Sequence, residues 1–293
     1  MKILIATTLL VISTSLVAQE KTCDYYGLPE PTAKPQDFNP DLLDLNGSFK
    51  FNIAINDCHT IYFTTIDTKE NIYFSKKRNG KWSKPEIATF SDPSYSDADP
   101  FLTQSGDRIY FISERPTSTI DKQLDWNIWY ASYKEGEWTE PNPLPVPINT
   151  DESDEYFFSI SDKGNAFFSS NRIGGEGSFD IYMTKILGDN KFSEPKNIGQ
   201  PVSTNKYEFD PYIAPDERFI IFSINEDGNS NLYVSHKNQR GEWMTPTSLG
   251  DEINITHQDF APSLSADGRF IFYSNNGRLR WVSADILDVP PTK

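Results

Sequence analysis

One short apolar–aromatic run recurs five times along the chain. It reads NIYFS at residues 71–75, NIWYA at 127–131, DIYMT at 180–184, NLYVS at 231–235 and LRWVS at 279–283. The central rings Tyr73, Trp129, Tyr182, Tyr233 and Trp281 are spaced by 56, 53, 51 and 48 residues. Such a period marks a repeat architecture, in which a unit too small to bury both its faces packs against its neighbours. A second run precedes each of these: IYF at 61–63, IYF at 109–111, AFF at 166–168, IIF at 220–222 and IFY at 271–273. Four are followed by an aromatic residue with a proline three positions on, Trp82 with Pro85, Trp138 with Pro141, Phe192 with Pro195 and Trp243 with Pro246. Turn pairs stand before these aromatics: Asn79-Gly80, Glu135-Gly136, Asp189-Asn190 and Arg240-Gly241. These are tight-hairpin signals.

A fourth element opens each later repeat: DADPFLT from Asp97, EYFFSIS from Glu155, EFDPYIA from Glu208 and DFAPSLS from Asp259. Four short strands per repeat, joined by turns, predict an all-β chain of four-stranded antiparallel sheets stacked radially, a β-propeller. The fifth repeat stops before its proline-bearing strand, and residues 31–47 carry a segment of that kind. The expectation is five blades closed by an N-terminal strand; a sixth would need a blade that the sequence does not contain. The expected organisation is a signal peptide over 1–18, a lead-in and ring-closing strand over 19–48, and the propeller over 49–293.

The segment FFSSNRIGGEGSFDIYMTK, residues 167–185, resembles the WD40-like repeat of exported bacterial propellers of the TolB-like kind. The acidic-x-x-Pro strand starts and the Ser-Ala-Asp-Gly turn at 265–268 resemble it too. The resemblance spans nearly all of the chain after residue 18 and is strongest in the third to fifth repeats. The second repeat carries an insertion at 116–125, and the first lacks the acidic start and has Asp57-Cys58-His59 at its turn. The resemblance implies a scaffold, and a fold does not fix a function.

Composition removes several partners. The 293 residues carry a formal charge of −15, which disfavours nucleic acid and acidic membrane surfaces. Two cysteines and three histidines exclude a Cys/His zinc site of the usual spacing, and no cofactor or metal is expected. Residues 1–18 read as a charged start, a short apolar run and small residues, the pattern of a secretory signal cleaved after Ala18. No other stretch is apolar enough to span a membrane, and the expectation is a monomer exported to the periplasm or beyond. Export permits a Cys23–Cys58 disulfide, closing a loop of about 36 residues that the chain-entropy model values at roughly 3–4 kcal/mol.

The repeated acids Asp97, Glu155, Glu208 and Asp259 suggest a carboxylate ring at the channel mouth, binding a cation, a basic group or sugar hydroxyls. Arg115 and Arg172, after the second strands, are candidate partners that would make these acids structural. Trp126 falls outside the aromatic register and is a candidate sugar-stacking ring. The glycine-rich stretch at 174–177 reads as a flexible loop, and NEDGNSN at 225–231 as a turn rather than a calcium loop. No catalytic residue is assigned. The expected function is a non-enzymatic binding module whose partner is another envelope protein or a glycan. The alternative is a carbohydrate-active hydrolase that uses two central carboxylates, Glu155 or Glu208 among them.

Overall fold

The computed structural model describes residues 23, 25–38, 49–55, 58–118 and 125–288. The signal segment and residues 119–124 of the insertion lie outside the described residues. Five antiparallel sheets make up the fold. Their innermost strands are Phe49–Ile55, Asp97–Leu102, Glu155–Ile160, Tyr207–Ile213 and Asp259–Leu264. Each inner strand touches the inner strands on either side, the fifth against the first, so the ring closes. Ser159 Oγ donates to the Pro211 carbonyl at 2.6 Å, and Ser263 Oγ to the Ile53 carbonyl at 2.7 Å, tying neighbouring inner strands together. This is a five-bladed β-propeller, as the repeats predict.

The aromatic-x-x-Pro segments form the outer edge less regularly than four full strands per blade. In the first blade the edge splits into Lys81–Trp82 and Glu86–Ile87, both paired with the third strand, Glu70–Arg78. The second and third blades split in the same way. Pro85, Pro141 and Pro195 fall in the gaps, where a residue without an N–H cannot extend a ladder. Adjacent hydroxyls stand in: Ser83 Oγ accepts the Lys76 N–H at 3.2 Å, and Thr139 Oγ1 accepts that of Ser132 at 3.1 Å.

Every inner strand carries a bulge at one register position, occupied by Asn52, Asp99, Phe157, Asp210 and Ala261. All five have φ between +47° and +54°. An extra residue in one strand bends it and re-aims its side chains. The core lies between blades; Phe111, Trp129 and Phe90 pack across the first two, and Phe167, Ile220 and Phe222 across the third and fourth.

The ring is closed by Gln36–Asp37, which pairs with Arg278–Ser283 as the fourth strand of the last blade. Phe38 and Tyr25 pack beside Phe272 and Trp281 at this seam. Cys23 is bonded to Cys58, which sits on the turn after the first inner strand at φ +62°. The N-terminal segment therefore joins the last blade to the first twice, by a ladder and by a covalent bond. No helix among the described residues is long and apolar enough to cross a membrane.

Candidate site at the propeller axis

The four repeated acids do not ring the channel. Asp97, Glu155, Glu208 and Asp259 are all 0 % exposed. Each folds back on the loop that leads into its own strand. Asp97 accepts from the Asp92 N–H at 2.7 Å and Ser91 Oγ at 3.0 Å. Glu155 accepts from Ser153 Oγ at 2.6 Å and Ser170 Oγ at 3.0 Å. Glu208 holds the Thr204 N–H and hydroxyl, and Asp259 those of Thr256. Arg115 pairs with Asp97 at 2.5 Å, and Arg172 with Glu155 at 3.1 Å. Arg172 also donates to the Pro147 and Ile148 carbonyls. Burial pushes the Glu155 carboxyl up to about 7, against the pull of Ser153 and Arg172. These groups brace the upper face, where the inner strands begin.

Acids do reach the axis, two positions further along the strand. Asp99 and Asp210 occupy the bulge position in the second and fourth blades, 7 % and 5 % exposed. Asp210 Oδ2 accepts the Ala261 N–H at 3.0 Å. Asp99 Oδ1 is buried without a hydrogen bond. Burial drives the Asp210 carboxyl up to about 7. Burial and then the charge of Asp210 raise Asp99 far above the usual carboxylate range. Two buried like charges do not both ionise readily, so the pair holds a proton near neutral pH. Asn52, 1 % exposed, stands at the same position in the first blade. Its amide favours the ionised form of Asp99, yet neither of its polar atoms makes a hydrogen bond of good geometry. A cavity of about 30 Å³ lined by Asn52, Phe157 and Tyr212 lies in the channel, room for a water-sized group.

An arc of rings flanks this pair on the upper face. Trp126 lies 6.0 Å from Tyr156, Tyr156 5.1 Å from Phe179, Phe179 4.7 Å from Tyr207, and Tyr207 4.9 Å from Phe209. All five are half-buried. Phe51 and Phe260 meet at 5.8 Å beside the same bulges. The charges of Asp154, Asp210 and Asp99 raise the Tyr156 phenol further than burial alone, and those of Asp210 and Asp154 do the same at Tyr207. Both hydroxyls are thus within electrostatic reach of the acids. Trp126 joins the arc because its N–H donates to Asp154 Oδ1 at 2.9 Å and its carbonyl accepts from Glu155. No cluster among the described residues has the ligands for a metal ion.

Two sequence expectations about loops resolve differently. The stretch at 174–177 is not a loose loop: Asp180 Oδ2 accepts the Glu176 and Gly177 N–H groups at 2.9 and 3.1 Å. A Cβ at Gly177 would meet the Lys206 carbonyl at 2.0 Å, so its glycine serves close packing. The 225–231 stretch is a tight hairpin, with Asp227 and Gly228 at φ +52° and +84°.

The fold and the site together define a five-bladed propeller with an acidic, ring-flanked axis. It is similar to a TolB-type protein of Agrobacterium tumefaciens, with TM-score 0.50 and 12 % identity over 81 % of this chain and 78 % of that one. A gluconolactonase of Xanthomonas campestris matches with TM-score 0.52 and 11 % identity over 82 % and 73 %. At these identities the likeness concerns the fold. A match to a prolyl endopeptidase, TM-score 0.43 and 12 % identity, covers 76 % of this chain and spans 30 % of that one. No protein-family model matches the sequence. No curated protein matches it either.

Proposed function

We propose that this chain is an exported, non-enzymatic propeller that binds a ligand at the upper mouth of its channel, presented by another envelope protein or by a glycan. The observation that carries this reading is the Asp99–Asp210 pair beneath the ring arc. A buried carboxyl with an oxygen that no well-formed hydrogen bond satisfies, beside the buried Asn52 amide, is costly to keep in an apolar channel. A ligand hydroxyl or amine would satisfy both. The half-buried rings of Trp126, Tyr156 and Tyr207 offer faces for a sugar or a cation. The disulfide supports an oxidising compartment. The four repeated acids, with Arg115, Arg172 and their loops, hold the rim in shape around this site, while Trp126 belongs to the contact surface.

The test is cross-linking of the tagged protein in its own cell envelope, in wild-type and Asp99→Asn/Asp210→Asn forms. A single stoichiometric partner captured by the wild type and lost in the variant supports the reading. The same partner captured by both forms removes the axis from the binding surface.

A hydrolase remains the second reading because one carboxyl of the pair is protonated near neutrality while its neighbour is able to ionise, the division of labour of an acid and a base. Oligosaccharide hydrolysis abolished by Asp210→Asn, with the melting temperature maintained, would establish it.

A further inference from the structure

The channel has a second opening, on the lower face, where the turns between first and second strands converge. Phe101 and Tyr212 approach across the axis at 6.4 Å and separate it from the acid pair. Below them lies a cavity of about 400 Å³. That is within the size range of small-ligand sites. Its floor is one register position repeated around the ring: Ile55, Leu102, Ile160 and Leu264 all line it. One wall is the short 3-10 helix Ala284–Asp288, through Ala284 and Leu287.

The rim is charged. Asp162, Asp216 and Asp285 line the opening beside Arg218. Arg218 Nε lies 3.7 Å from Asp216 Oδ2, which offsets that charge. Asp162 and Asp285 are exposed, and neither has a cation within ion-pair distance among the described residues. Burial raises the Tyr212 phenol, and the nearby charge of Asp162 adds to it. An aliphatic floor under two carboxylates that no cation among the described residues pairs with matches a molecule with an apolar body and a positive head. An anionic amphiphile would meet the same floor under repulsion.

We propose that the lower end of the channel is a separate binding site for an amphiphilic amine, its alkyl or aryl body on Ile55, Leu102, Ile160 and Leu264 and its ammonium at Asp162 and Asp285. This proposal does not depend on the upper-face reading.

Titration calorimetry of the full chain with n-octylammonium chloride, kept below micelle formation, tests it. One saturable site is expected. Octyl sulfate, and the exposed-residue variant Asp162→Asn/Asp285→Asn with octylammonium, should each bind about five- to tenfold more weakly. Ile160→Trp, checked by circular dichroism for folding, should abolish binding by filling the cavity. Equal binding of octyl sulfate, or unchanged affinity in the Asp162/Asp285 variant, overturns the proposal. Asp99→Asn/Asp210→Asn should leave octylammonium binding intact, and loss of binding there would place the amine at the upper site and likewise overturn it.

Discussion

Asp99 and Asp210 are acids held in surroundings that favour the neutral form. Their folded pKa values lie above those of an unfolded chain. A protonated carboxyl is buried without the cost of a charge, so the contribution to stability is complete below about pH 4. It is lost as pH rises through about 7. We expect stability, measured by urea unfolding, to fall from pH 5 to pH 9 by on the order of a few kcal/mol. Asp210→Asn should flatten that slope and be more stable than wild type at pH 9, since the Asn oxygen still accepts the Ala261 N–H. A slope unchanged by the substitution would show that other groups carry it. Burial raises the Asp97 carboxyl too, but there Arg115 pulls against it. Both partners are buried, and Arg115 also donates to the Phe90 carbonyl. Arg115→Met strands a buried carboxyl and should cost about 3–5 kcal/mol. Adding Asp97→Asn should recover part of that loss in a double-mutant cycle.

The elements owe their regularity to turns, and the turns were plain in the sequence. Asn79-Gly80 and Glu135-Gly136 both adopt left-handed pairs, at φ +51° and +75° and at +52° and +93°. At the first turn of the second, third and fifth blades Gly106, Gly164 and Gly268 are left-handed, and in the fourth Glu217 takes the same place at φ +60°. Glu217 tolerates it because its carboxylate accepts from Ser161, Asn165 and Lys237 at 2.6, 2.7 and 2.9 Å. At Gly164 an added Cβ meets nothing within 4 Å, so only backbone strain remains. Gly164→Ala should cost about 1–2 kcal/mol by thermal unfolding. A neutral result would mean that this turn relaxes. The axis pair was hidden for a related reason. The first acid of each strand repeats in four blades and draws the eye, yet repetition reflected the loop it holds. The second acid, in Asp97-Ala-Asp99-Pro100 and Glu208-Phe-Asp210-Pro211, appears in two blades, and strict alternation does not reveal that a bulge turns it inward. Trp126 stands outside the aromatic register, and its ring lies beside Tyr156 at the end of the arc.

At the scale of the molecule, blade number and strand order follow from repeats of about 50 residues, and the missing last strand pointed to closure by the N-terminal segment. The seam is where the ring depends on distant parts of the chain. Removing the disulfide with Cys23→Ser/Cys58→Ser should lower stability by roughly 3–4 kcal/mol. Loss of much less would mean that the Gln36–Asp37 ladder and the Phe38 and Tyr25 packing hold the seam without it. The closure also sets an order in time. A ribosome makes residues 36–37 long before it makes residues 278–283, so the strand that completes the last blade is synthesised first and has no partner until nearly the whole chain exists. Nascent chains halted after the fourth blade should therefore remain accessible to protease along that first-made segment, and protection there should appear only with the final hairpin.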